Sequence, residues 1–223
     1  MPHKPLFIED EFKGKSGNGI YADIIEQIDW SVGEVVKALK KNGLGENTFI
    51  LYTSDNGPAT GAGGSAGPLK GTKFNTWEGG HRVPTVMWSP GTIQAGKVAD
   101  GITSSVDMFQ TIAHYAGAEI PKDRTYDGYD LSQYIEGKQS ASPRNEFYFY
   151  SPNTDNIDGV RIGDWKYVLY GEHRRRVKKT PKGKLYNLKQ DIGETTDLAD
   201  KHPEKVSELL KAMKTFDNKV SEK

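Results

Sequence analysis

Thr48-Phe49-Ile50-Leu51-Tyr52-Thr53-Ser54-Asp55-Asn56-Gly57 is the stretch on which the fold turns. Residues 48–53 are rich in β-formers and lack polar alternation, so they read as a short strand covered on both faces. Upstream, Ile25, Ile28, Val32, Val35 or Val36, and Leu39 recur three and four apart, the spacing of a helix over residues 21–41 with one buried face. Lys40, Lys41 and Gly43 supply its end. A helix feeding a buried strand predicts an α/β layer.

Downstream of Gly57 the chain is Gly- and Ala-rich as far as Gly67, which suits a mobile or closely packed loop. Residues 85–88, Thr-Val-Met-Trp, form a second strand candidate. Val106, Phe109, Ile112, Ala113 and Ala116 then predict another core-facing helix, with Ser105 as N-cap, Gly117 as its stop and Pro121 beyond. After about residue 140 the pattern changes to β-type segments at 147–150, 159–162, 166–170 and 184–188, with Gly163-Asp164 placed as a hairpin turn. An amphipathic helix from Pro203 carries Val206, Leu209, Leu210, Met213 and Phe216 on one side. Residues 1–140 therefore read as an α/β unit and residues 141–223 as an antiparallel sheet with one packed helix.

The 223 residues suffice for one domain and a smaller unit. Thirty basic and 30 acidic side chains balance, so net charge gives no pull toward nucleic acid or an anionic membrane. No apolar run reaches the roughly 18 residues of a membrane span, and Met1-Pro2-His3-Lys4 is not a signal peptide. Cysteine is absent, which excludes disulfides, zinc-thiolate sites and cysteine nucleophiles. Trp30, Trp77 and Trp88 are expected to pack in the core.

Asp55 and Asn56 follow the carboxyl end of the first strand, where open α/β sheets bind ligands, and offer hard oxygen donors suited to Ca²⁺ or Mg²⁺. Alone, Asp-Asn-Gly is also a common turn. Context comes from Leu69-Lys-Gly-Thr-Lys-Phe-Asn-Thr-Trp-Glu-Gly-Gly-His-Arg-Val-Pro84. An Asp-Asn pair after a strand, a Gly-rich stretch, then Lys73 and, five residues on, Glu78-Gly79-Gly80-His81-Arg82-Val83-Pro84 resembles the sulfatase family. Pro2-His3-Lys4-Pro5 is similar to that family's His-x-Pro segment. Residues 105–117, Gly163-Asp164-Trp165-Lys166-Tyr167 and Lys184-Leu185-Tyr186-Asn187-Leu188 extend the likeness over nearly the whole chain.

The resemblance implies part of an alkaline phosphatase-like three-layer α/β sheet with a small C-terminal antiparallel sheet plus helix. It implies an arylsulfatase-type sulfuric ester hydrolase, in which Asp55 and Asn56 ligate Ca²⁺ while Lys73 and His3 contact the sulfate and assist the departing oxygen. Sulfuryl transfer spreads negative charge over the sulfate oxygens and the leaving group, which a divalent ion and cationic side chains can stabilise. The family's nucleophile is a formylglycine made in a Cys/Ser-x-Pro-x-Arg motif. Ser142-Pro143-Arg144 has neither the spacing nor the position of that motif, and Met1 reads as an internal residue. The expectation is thus a C-terminal fragment that is inactive alone.

Glu78 and Arg82 are expected to form a buried structural pair, and His81, His114, His173 and His202 lack metal-type spacing. Residues 172–189, with three Arg and five Lys against one Glu, read as a solvated hairpin loop that could also attract a sulfated polysaccharide. The implied substrate is a sulfate-ester small molecule or sulfated glycan, and the implied compartment periplasmic, secreted or lysosomal. Bare apolar faces and an uncovered sheet edge predict self-association. The rival readings are a non-catalytic sulfatase-like remnant or interaction module, and a related phosphatase or phosphonate hydrolase, since fold alone does not fix function.

Overall fold

The structure, a computed structural model, describes residues 2–150, 156–171 and 182–221. The elements run α1 (Ile20–Lys41), β1 (Ile50–Thr53), α2 (Glu78–His81), β2 (Thr85–Trp88), α3 (Met108–Tyr115), α4 (Ser132–Ile135), β3 (Glu146–Tyr150), β4 (Ile157–Ile162), β5 (Trp165–Val168), β6 (Lys184–Asn187) and α5 (Pro203–Ser221). Two short 3₁₀ turns, Gly45–Asn47 and Ser105–Asp107, precede β1 and α3. None of the described helices is long and apolar enough to cross a membrane.

The first sheet is the antiparallel pair β1 and β2, with Ile50 opposite Trp88 and Thr53 opposite Thr85. The expected burial of β1 on both faces does not hold here. Ile50, Leu51 and Tyr52 are half-buried and Thr53 is exposed, because β2 is the single strand neighbour of β1 among the described residues. The second sheet is an antiparallel meander ordered β3-β4-β5-β6. Ile162 pairs with Trp165 across the tight turn at Gly163, whose φ of 55° is the left-handed geometry such hairpins need.

Most of the apolar core lies in the second unit. Ile157, Val160, Tyr167 and Leu185 from one face of the meander close on Leu209 and Met213 of α5, and Ala199 fills the side. Tyr148 stacks on Phe216 with ring centroids 3.9 Å apart. On the other side of that sheet Val168, Tyr186 and Leu188 bury Trp77, which belongs to the loop leading into α2. The two units therefore share an apolar contact as well as the polar ones described below.

α3 forms where its periodicity predicts, but it is turned the other way. Val106, Phe109 and Ile112 are each about half exposed, while the buried side carries Asp107 and Thr111. Thr111 Oγ1 donates to Asp107 O at 2.8 Å and accepts Leu131 N–H at 3.0 Å. Asp107 is held by the Arg144 Nε and Nη2 groups at 2.5–3.1 Å and by Tyr129 N–H at 2.9 Å. A saturated polar cluster thus outranks the apolar stripe in fixing the helix. Ser104, rather than Ser105, occupies the cap, and its N–H donates to Asp107 Oδ2 at 2.8 Å in a capping box. Trp30 is likewise about half exposed, tilted against Phe12, whereas Trp77 is buried as expected.

Candidate functional site

Four loops meet at the ends of β1 and β2. The turn after β1 brings Asp55 and Asn56 forward, and Gly57 N–H donates to Gly80 O at 3.0 Å, docking that turn on α2. A methyl group on Gly57 would stand 1.8 Å from Gly79 O, so the approach is open to glycine alone. Lys73 N–H donates to Pro58 O at 2.9 Å, which ties the Lys73 loop to the same turn. The Gly-rich stretch is a closely packed loop: a Cβ at Gly63, whose φ is 99°, would lie 2.8 Å from Tyr21 Cβ on α1.

The result is a cleft of about 640 Å³ whose walls include His3, Asp55, Asn56, Lys73, Arg82 and Tyr21. All four residues singled out by sequence, His3, Lys73, Asp55 and Asn56, reach it. His3 is exposed and its Nδ1 lies 2.9 Å from Lys4 O, while Lys73 is half-buried. Partial desolvation would lift the Asp55 carboxyl. Hydrogen bonds from its own N–H, the Asn56 side chain and the Asn56 N–H, together with the nearby Lys73 charge, outweigh that and hold it below the usual carboxylate range. Asp55 is therefore an anion in a cleft that Lys73 and Arg82 also line.

As a cation site this corner is partial. The Asn56 amide N–H donates to Asp55 Oδ1, so the two side chains lie side by side, and a half-turn of the amide would present its oxygen next to the carboxylate. Hard oxygen donors of this kind suit Ca²⁺, which takes six to eight. Among the described residues no group of three or more His, Asp or Glu is placed to hold a metal.

The expected Glu78–Arg82 pair is not formed. Glu78 is buried and takes its direct partners elsewhere, with Oε1 3.0 Å from Lys166 Nζ and Oε2 3.1 Å from Arg161 Nη1, and Arg82 acts on it as a nearby charge. Lys166 also reaches Glu194 Oε1 at 3.0 Å, and Glu194 Oε2 accepts Glu78 N–H at 2.8 Å. Burial alone would raise the Glu78 carboxyl; the Lys166 and Arg161 charges, with a smaller contribution from Arg82, reverse this and hold it low. Arg82 is left exposed at the cleft wall. Sequence reasoning passed over it because the four-residue spacing from Glu78 offered a local partner. Its place beside Pro84 in the same motif as Lys73 was the signal that could have marked it.

The same segment is stitched to the meander by Thr76. Its hydroxyl donates to Asp158 Oδ2, its N–H donates to Gly171 O at 2.9 Å, and Asp158 Oδ1 accepts Tyr170 N–H at 3.0 Å. The Lys73 loop is thus clamped between the β1 turn on one side and the second sheet on the other. Of the basic stretch 172–189, residues 172–181 lie outside the described residues.

Comparison with known proteins agrees with this arrangement. The family model described as Sulfatase matches residues 2–118, and that described as N-sulphoglucosamine sulphohydrolase, C-terminal, matches residues 72–222. Steryl-sulfatase of Homo sapiens is 43% identical over 159 residues, which is 68% of this chain and 27% of that protein. A solved sulfatase from Pseudoalteromonas sp., PsFucS1, superposes with a TM-score of 0.83 at 27% identity, covering 96% of this chain and 46% of its own. The structure of Ps i-CgsB with k-i-k-neocarrahexaose superposes at 0.84 and 29% identity, over 97% of this chain and 48% of its own. The chain spans about a quarter of the length of the human relative and about half that of the solved ones. These neighbours share the alkaline phosphatase-like α/β fold, of which β1, β2, α1 and α3 form a part here. A motif order that runs from His3 to the meander, a family match over more than half the residues and a shared fold lead to one conclusion: this chain belongs to the sulfatase family.

Proposed function

We propose that this chain forms the half of a sulfuric ester hydrolase active site that holds the sulfate and receives the leaving oxygen. The observation that carries the reading is that His3, Asp55, Asn56 and Lys73, up to 70 residues apart, open into one cleft. In this reading the Lys73 ammonium neutralises a sulfate oxygen, and the His3 imidazole hydrogen-bonds the ester oxygen as its bond to sulfur breaks. Arg82 adds a second cation with a fork geometry suited to a tetrahedral oxyanion. Asp55 and Asn56 would contribute oxygens to a bound Ca²⁺, which would supply charge neutralisation at the sulfate.

The attacking oxygen, on the family resemblance, is that of a formylglycine. The sequence has no cysteine and no serine in a Ser-x-Pro-x-Arg motif from which to make one, so these 223 residues alone should bind a sulfate ester without turning it over. A sulfated small molecule or glycan is the substrate class; the relatives named above include a steryl-sulfatase and a protein solved with k-i-k-neocarrahexaose. The outward apolar side of α3 and the exposed Trp30 and Val35 of α1 would also favour self-association of the isolated chain.

Titration of the chain with sodium sulfate, followed by ¹⁵N NMR, tests the site. Shifts confined to residues around 55–58 and 72–84, and lost in Lys73→Ala, are the expected result. Undiminished binding in Lys73→Ala, or shifts centred on another surface, would remove the basis for the reading.

A further inference from the structure

Phe74 follows Lys73 directly and has a backbone φ of 74°. That left-handed conformation is disfavoured for a bulky L-residue, and Gly or Asn would adopt it with less strain. Burial does not offset the strain, because the side chain is 59% exposed. Hydrogen bonds hold the residues on either side of it. Lys73 N–H is tied to Pro58 O at 2.9 Å, Asn75 N–H donates to Thr72 O at 3.0 Å, and Asn75 Oδ1 accepts Thr72 N–H at 3.0 Å. Neither local geometry nor packing accounts for an aromatic side chain here. Its position does: the ring centroid lies 5.4 Å from Nζ of Lys73, the side chain that lines the cleft.

From this juxtaposition we propose that Phe74 is a specificity-determining residue, whose ring offers a flat apolar face to the leaving group of the ester whose sulfate Lys73 holds. The inference rests on the function proposed above and adds to it a substrate class: sulfate esters whose alcohol or phenol part carries a flat apolar face next to the ester oxygen. An aromatic ring and the C–H face of a sugar share that chemistry. Strained residues held in place by their surroundings cluster where a ligand is recognised, and an exposed aromatic ring is a ready stacking surface.

The test compares three ligands on the 223-residue chain by NMR titration: inorganic sulfate, phenyl sulfate and galactose 6-sulfate. Phenyl sulfate should bind about five-fold more tightly than inorganic sulfate. Phe74→Gly should abolish that preference, leave inorganic sulfate within about two-fold of its original affinity and raise the melting temperature by relieving the backbone. Phe74→Tyr should keep the preference. A matching loss for galactose 6-sulfate would extend the surface to sugar rings; an unchanged affinity would restrict it to aryl groups, and either supports the assignment. Equal binding of phenyl sulfate by the parent and Phe74→Gly, with inorganic sulfate still bound, would overturn the role of Phe74 and leave the sulfate site standing. Failure of inorganic sulfate to bind the parent chain would overturn both.

Discussion

Replacing Lys166 by Met tests how the cleft loop is fastened to the rest of the fold. Lys166 has no solvent exposure, and its ammonium lies 3.0 Å from carboxylate oxygens of both Glu78 and Glu194 and 4.2 Å from the centre of the Phe149 ring. Methionine matches its length and can pack against Phe149, so the substitution removes charge with little change of volume. Glu78 would keep Arg161, but among the described residues the Glu194 carboxylate would keep only the Glu78 N–H. Removing one partner from a buried ionic cluster costs about 3–5 kcal/mol. With a urea dependence of about 3 kcal/mol per molar, a loss of about 4 kcal/mol lowers the unfolding midpoint by about 1.3 M. Tryptophan fluorescence would report it, since Trp77 packs against the same sheet.

The double variant Lys166→Met, Glu194→Gln should recover most of the loss, because Glu78 keeps Arg161 and the carboxylate that lost its cation is replaced by a neutral amide. Burial raises the Glu194 carboxyl above its unfolded value despite Lys166, and without Lys166 it should rise further. A folded state with the raised value binds more protons than the unfolded chain, so the deficit of Lys166→Met should shrink as pH falls from 7 toward 5. A midpoint shift below about 0.3 M at pH 7, or a deficit that grows on acidification, would refute the claim that these carboxylates are desolvated.

Three further outcomes are expected. Gly57→Ala drives a methyl group into Gly79 O, and should cost about 1–3 kcal/mol in denaturant melts and weaken sulfate binding, because the Asp55 turn must lift off α2. The His81 imidazole, packed edge-on against Phe147 and Phe149 although one side of the residue stays open, is pushed down to about 4 by burial and then by the Lys166 charge. The unfolded chain takes up this proton near 6.5, so His81 withdraws stability as pH falls from 6.5 to 4. An NMR titration midpoint above 6 would contradict this environment. Phe109→Ser with Ile112→Ser, on the outward side of α3, should reduce light scattering by concentrated protein at nearly unchanged melting temperature; unchanged scattering would show that this face is not what makes copies associate.

How far the sequence could be read depended on the range of the interactions involved. α1 and α5 were legible because a stripe of three-and-four spacing is local, and β4 and β5 because Gly163 sits between two apolar runs. The burial of β1 was overestimated, since an apolar run states what a strand would bury but not how many neighbours the chain brings to it. α3 was placed correctly and oriented wrongly: Asp107 is three residues from its cap but 37 from Arg144, and only the first separation shows in a local pattern. Glu78 failed for the same reason, because its partners lie 83 and 88 residues away. His3, Asp55, Asn56 and Lys73 became candidates through the order of motifs, and the strain at Phe74 is visible only in the backbone.

The charged residues of this segment fall into two populations, and the division accounts for what the cleft can do. Glu78, Lys166 and Glu194 are buried, and with Arg161, largely covered and paired to Glu78, they set two cations against two carboxylates; their role is to hold α2 and the preceding loop against the second sheet. His3, Asp55, Lys73 and Arg82 face the open cleft, and among the described residues no salt bridge joins them. If Glu78 instead paired directly with Arg82, it would place a carboxylate at the wall and offset more fully one of the cations available to an incoming anion. Pairing Glu78 with Lys166 and Arg161 leaves the Arg82 guanidinium free of a direct carboxylate contact among the described residues, and the long-range contacts to β4 and β5 are what enforce that pairing. A site that binds a tetrahedral anion therefore depends on residues in the second sheet that never touch it, and the loss of Lys166 should weaken sulfate affinity even where the chain remains folded.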